Sequence, residues 1–266
     1  MTSITLEPSI SGEEEGTEMK EKTKPNRILV INPIVSDRFD KFDRDFFKRN
    51  AHPSFEVEVV NLTYGPASIE SYYDDSLAAP FVVQKVIEAE KKGFTASIIN
   101  CFMDPGLDAA REVVSIPVVG AGESAMCLAL LVGDKFSIID PGPARYVSRN
   151  PTKQVRAMGV ESRFVSSRGA GIPVLEIDRD LDATTRRISD EALKAVKEDG
   201  ADTIVLGCTG FAGLAPKVQA IIDTPVIDPA LAALKTAETL CQLDLHQSKI
   251  AFPKPPEKLR KIQFLQ

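Results

Sequence analysis

Ser97-Ile98-Ile99-Asn100-Cys101 and Thr203-Ile204-Val205-Leu206-Gly207-Cys208 are two short, β-branched apolar runs that each end in a cysteine. Runs of this length and composition, closed by turn residues, read as buried strands of a parallel sheet. Asp104-Pro105-Gly106 follows the first cysteine and Thr209-Gly210 the second, and both read as helix starts. Each thiol is therefore expected at the carboxyl end of a strand, where open α/β sheets bind ligands.

The match extends outward from the cysteines. Ile28-Leu29-Val30-Ile31-Asn32-Pro33 pairs with Phe136-Ser137-Ile138-Ile139-Asp140-Pro141, each about 70 positions ahead of its cysteine, as an internal repeat requires. Downstream, Ile116-Pro117-Val118-Val119-Gly120 pairs with Thr224-Pro225-Val226-Ile227-Asp228. Strand, helix, strand with cysteine, helix, strand, helix is written twice. The expected fold is α/β, with two parallel-sheet lobes related by a pseudo-twofold axis and a site between them. Ala230 to Leu243 reads as a last helix that returns the chain to its first lobe. The expected division is 27–119 plus 228–255 for one lobe and 120–227 for the other.

A chain of 266 residues with 43% hydrophobic content can bury real cores. Its net charge of −6 argues against nucleic acid, whose backbone needs clustered Lys and Arg. Six acidic and three basic residues lie within 1–26, which reads as a flexible acidic tail, as 256–266 reads as a C-terminal tail. No stretch has the length or flanks of a signal sequence or membrane span, so a cytoplasmic protein is expected. Four widely spaced cysteines without a Cys-x-x-Cys pattern form neither a disulfide framework nor a zinc site.

Along the first lobe, Phe39, Phe42, Phe46 and Phe47 are spaced as a core-facing helical stripe. Tyr64 to Asp75 reads as a long connection, rich in turn residues and aromatics, that serves as a pocket wall or mobile lid. A helix carrying Ala79, Val82, Val86 and Ala89 stops at Lys91-Lys92-Gly93. In the second lobe, Ile188, Ala192 and Ala195 mark the matching helix, ended by Gly200.

A thiol titrates close enough to neutrality that a helix N-terminus can hold it as thiolate. One thiolate and one thiol on opposite sides of a carbon acid can remove a proton from one face and return it to the other. Such chemistry suits a carbon next to a carboxylate or a cyclic amide carbonyl, with the enolate oxygen held by backbone N–H groups of the turns after each cysteine. His52 and His246 are the only histidines, and no metal-ligand cluster is visible.

At these residues the sequence resembles the aspartate/glutamate/hydantoin racemase superfamily, in its hydantoin and allantoin racemase branch. The resemblance spans residues 27–255. It rests on Ile31-Asn32-Pro33, Gly65-Pro66-Ala67-Ser68-Ile69-Glu70, Asp104-Pro105-Gly106-Leu107-Asp108, Ala110-Arg111-Glu112, Pro117-Val118-Val119-Gly120, Glu198-Asp199-Gly200-Ala201 and Leu206-Gly207-Cys208. It implies Rossmann-like lobes, a small cyclic amide substrate, no cofactor, a homo-oligomer, and Cys101 and Cys208 as the catalytic pair. Departures fall on pocket segments: Ile34 and Val35 precede Ser36 where the family has polar residues, Ile139-Asp140-Pro141-Gly142-Pro143 replaces a Thr-rich turn, and Thr209 and Phe211 alter the second cysteine motif.

Candidate substrate-binding residues are accordingly Asn32, Ser36, Phe102, Glu123, Thr209, Gly210 and Phe211. Asn32 equally suits a turn cap, and Glu123 a helix-start acid. Cys127 and Cys241 read as core residues, and Arg145 and Arg168 as surface charges that could meet a carboxylate. The leading expectation is a cofactor-independent racemase of a 5-substituted hydantoin or allantoin-like ring. Two alternatives stand beside it. One is a hydrolase or lyase using a nucleophilic thiol, as in desulfuration of a thiohydantoin propionate; the other is a non-catalytic small-molecule binder.

Overall fold

The computed structural model describes residues 26–143 and 149–260. Two four-stranded parallel sheets carry the same order, the second strand at one edge and the first and third in the middle. The first sheet is built from β1 (Asn26–Asn32), β2 (Phe55–Asn61), β3 (Ala96–Ile99) and β4 (Val118–Gly120) in the order β2-β1-β3-β4. The second uses β5 (Phe136–Asp140), β6 (Phe164–Gly169), β7 (Thr203–Leu206) and β8 (Val226–Ile227) as β6-β5-β7-β8. Ile28↔Ala96 through Ile31↔Ile99 fixes the register in the first sheet, and Phe136↔Thr203 through Ile139↔Leu206 in the second.

All four residues of β3 and of β7 are buried, because helices cover both faces of each sheet and leave no polar side to alternate with. Between the strands run α1 (Asp40–Asn50), α2 (Tyr72–Lys91), α3 (Leu107–Val113) and α4 (Ala121–Val132). The second half adds α5 (Arg149–Met158), α6 (Leu181–Glu198), α7 (Ala215–Ile222) and α8 (Pro229–Gln242). Ile28, Val30 and Ile98 pack against Phe46 and Phe47 of α1 and Ala233, Leu234 and Ala237 of α8. Leu29, Ile31 and Ile99 face Phe81, Val82 and Val86 of α2.

The last helix of each half changes sides. α4 leaves β4 of the first sheet, yet Ala125, Met126 and Ala129 pack on Phe136, Ile138 and Val205 of the second. α8 leaves β8 of the second sheet and packs on the first, touching the α4 cluster through Ala232. Asp228 caps α8, accepting from Ala230 N–H and Leu231 N–H, the acceptor that the free amides of a first turn require. Among the described residues no helix is long and apolar enough to cross a membrane.

Four local readings are corrected. Phe42 is exposed, while Phe46 and Phe47 are buried and Phe39 precedes the helix at the cavity. The connection before α2 ends at Ser71, whose hydroxyl accepts from Asp74 N–H and starts the helix at Tyr72, so Pro80 lies inside it. Asp104 does not cap the helix that follows it: it has φ 53°, and Gly106 at φ 74° precedes α3. Its carboxyl instead accepts from Gly122 N–H at 3.0 Å and Glu123 N–H at 2.8 Å, capping α4. Cys127 is exposed rather than core, because α4 is apolar around most of its circumference and Cys127 shares the outward side with Leu131, one turn on. Cys241 is partly buried against the first core. Residues 1–25 and 261–266, from the two expected tails, lie outside the described residues, as does Arg145.

Candidate active site

Cys101 follows β3 and Cys208 follows β7 by two residues, so the equivalence of the two sheets places both thiols at carboxyl strand ends. Both line one cavity of about 560 Å³. The two turns are tied together: Thr209 Oγ1 donates to the Asn100 carbonyl at 3.0 Å, joining the residue after one cysteine to the residue before the other. On the far side of Cys101, Gln154 Nε2 donates to the Phe102 carbonyl at 2.7 Å.

Of the expected binding residues, Asn32, Phe102, Thr209 and Gly210 line this cavity with the two cysteines. Ser36, Glu123 and Phe211 do not. Ser36 sits on the connection after β1, where its hydroxyl accepts from Arg38 N–H. Glu123 is held by Arg111 through two 2.9 Å hydrogen bonds, which fits the helix-start role. Phe211 is fully buried in the second core beside Leu206 and Val218, because the single 3-10 turn Thr209–Phe211 points it away from the opening. Arg168 is engaged by Asp199 at 2.7 Å and Glu198 at 2.8 Å and is not a lining residue.

Asn32 is a hub rather than a free ligand. Its Nδ2 donates to Asp43 Oδ2 at 2.8 Å and Asn61 Oδ1 at 3.0 Å, and its Oδ1 accepts from Asn100 Nδ2 at 2.8 Å. Through it the strand end holds Asp43 and Asn100 in the lining. Asp43, Glu70, Ser71, Asn100 and Asp140 complete the polar lining, and none was marked as a site residue by the sequence. The signal for Asp43 was present: it lies one turn from Phe39, Phe46 and Phe47, so a single acid interrupts the buried stripe.

The electrostatics oppose charge at this site. Burial pushes the Cys208 thiol up to about 12, against the pull of Gly210 N–H, which donates to its sulfur at 3.3 Å. Asp140, Glu70 and Asp43 raise it further. Cys101 is also driven well up by burial, with a backbone donor at Met103 pulling the other way. Helix-end donors were expected to favour thiolates; loss of water outweighs them here. Burial likewise raises Asp140 to about 6 and Asp43 to about 7.

Asp43 gives a stability test with a definite sign. A carboxyl raised on folding contributes fully below its unfolded value near 4, and the contribution is lost as pH rises through about 7. Asp43→Asn removes the cost of ionising this buried group. Its stability advantage over the parent is expected to grow from pH 5 to pH 8, reaching on the order of 2 kcal/mol. Urea unfolding across that range measures it, and a difference independent of pH would contradict the assignment.

Comparison with known proteins agrees with this geometry. Residues 28–237 match the family model described as Asp/Glu/Hydantoin racemase. The chain is 37% identical over 232 residues to a hydantoin racemase of Pseudomonas sp. (strain NS671), covering 87% of this chain and 92% of the relative. It is 36% identical over 234 residues to a hydantoin racemase of Paenarthrobacter aurescens, covering 87% and 98%. The solved allantoin racemase from Klebsiella pneumoniae superposes with a TM-score of 0.84 at 32% identity, over 90% of this chain and 97% of that one. With a family match across most of its length and both sheets in the racemase arrangement, the chain belongs to the Asp/Glu/hydantoin racemase family.

Proposed function

We propose that the protein racemises 5-substituted hydantoins or allantoin-like rings, with Cys101 and Cys208 acting as opposed acid and base. The observation that carries this reading is the placement of two cavity-facing thiols at equivalent strand ends of two equivalent sheets. Substrates named for the similar proteins, hydantoin and allantoin, carry a hydrogen on a carbon beside a cyclic amide carbonyl. One sulfur, as thiolate, takes that hydrogen and becomes a thiol, while the C–H electron pair moves onto the ring as an enolate. The other thiol then gives its proton to the opposite face and is left as thiolate, so the product is the mirror image and the enzyme holds the same number of protons.

Backbone N–H groups of Phe102 and Thr209, both lining residues, are the proposed donors to the enolate oxygen, while those of Met103 and Gly210 serve the two sulfurs. Because burial raises both thiols, the thiolate fraction increases with pH. Turnover is expected to rise across about pH 7 to 9.

Single enantiomers of 5-alkyl hydantoins and allantoin in D₂O test the proposal. Deuterium at C5, followed by NMR, should appear together with loss of optical rotation and no change in ring composition. A thiohydantoin included in the series provides the decisive contrast: sulfide or ring-opened product without racemisation would reassign the thiols to nucleophilic chemistry.

A further inference from the structure

We propose that this cavity selects rings whose 5-substituent carries a positive charge, seated between Glu70 and Asp140, and disfavours rings with a carboxyalkyl arm. The inference rests on the racemase reading for the ring, and adds the chemistry of its substituent.

Three carboxyl groups, Asp43, Glu70 and Asp140, line the cavity, and among the described lining residues there is no Lys, Arg or His. Among the described residues, two cations beside lining segments are already committed. Arg38 donates from Nε and Nη2 to Asp178 Oδ1 at 2.9 and 2.6 Å. Lys153 lies over the Tyr72 ring at 5.1 Å, on the side of Asp75 and Cys101. Glu70, from the connection before α2, and Asp140, at the end of β5, belong to different halves of the molecule and line the same cavity, where burial and then the charge of Glu70 raise the Asp140 carboxyl. A cation between two carboxylates is attracted by both, whereas a carboxylate there adds a third negative charge.

A second observation points the same way. Asn100, only 6% exposed and part of the lining, has an Oδ1 with no hydrogen-bond partner. The lining's side-chain donors are turned into the protein: Asn32 Nδ2 to Asp43 and Asn61, Ser71 Oγ to Asp74, Thr209 Oγ1 to the Asn100 carbonyl. What its side chains offer is acceptors, and donors on the ligand must meet them. A hydantoin ring brings N–H groups for the acceptors beside Cys101, and an ammonium or guanidinium arm brings them for Glu70 and Asp140.

The test uses 5-(4-aminobutyl)hydantoin, 5-pentylhydantoin and 5-(2-carboxyethyl)hydantoin, read by C5 deuteration and by calorimetric binding to the full-length protein. The amine is expected to exceed the neutral ring by about tenfold in kcat/KM and in affinity, and the carboxylate to fall below it by a similar factor. Glu70→Gln and Asp140→Asn should each bring the amine-to-pentyl ratio down towards one, and added salt should erode it. Equal binding of the three rings, or preference for the carboxylate, would overturn the inference while leaving racemisation intact. Tightest binding of the amine with no deuteration of any ring would uphold the charge preference and defeat the racemase reading.

Discussion

Serine in place of either Cys101 or Cys208 is expected to abolish racemisation in both directions, by at least about 10³-fold. Both directions fail together because each needs one group to take the proton and the other to return it from the opposite face. The two variants should nevertheless differ from one another. With one thiol left, the enantiomer whose hydrogen faces that sulfur can still lose its proton and regain deuterium on the same face. Cys101→Ser should wash deuterium into one enantiomer with retention of configuration, and Cys208→Ser into the other. NMR of each enantiomer in D₂O, paired with chiral chromatography, separates the outcomes. Racemisation at parental rates in either variant would remove that cysteine from the chemistry.

The second large effect comes from a residue that touches no substrate. Gly122 is buried in the first turn of α4, and a Cβ there would overlap the Phe102 carbonyl oxygen and come within 2.9 Å of Gln154 Nε2. Neither can retreat freely, because Gln154 donates to that same carbonyl and Asp104 accepts from Gly122 N–H. Gly122→Ala is expected to push the turn bearing Cys101 out of place. Overpacking of this kind costs about 2–3 kcal/mol, or roughly 5–10 °C in Tm for a chain of this size. A displaced acid or base should lower kcat about 10²-fold, measured well below the melting temperature so that unfolding does not contribute. An unchanged Tm would show that α4 and the Cys101 turn are not in the contact described.

The strands and the repeat were readable because a strand covered on both faces must be apolar at every position, as β3 and β7 are. The cysteines at their ends were readable for the same reason. What escaped were choices made between distant segments. Asp104 was a reasonable cap for the helix next to it, but the buried amides of α4 have a stronger demand for an acceptor than the short α3, and only the folded chain brings them near. Cys127 lay in an apolar run whose periodicity does not say which side of α4 meets the sheet. Phe211 sat beside Gly210 in sequence and was turned away by a 3-10 turn, while Glu123, in the first turn of α4, was held by Arg111. Glu70 and Asp140 fell on segments read as pocket wall and pocket turn, but they come from separate halves, so no local pattern singled out their two carboxyls as neighbours in one lining.

The side-changing helices carry a consequence for how such a protein could arise. A chain ending after α4 would leave Ile28, Val30 and Ile98 short of the cover that α8 gives them, and Ala125, Met126 and Ala129 without the sheet they pack on. A second copy of that same half would repair both defects at once, each lending its final helix to the other as a swapped dimer. The present chain has the form of that dimer within one polypeptide. The cores of the two halves depend on one another, so a lone half should associate rather than persist as a folded monomer.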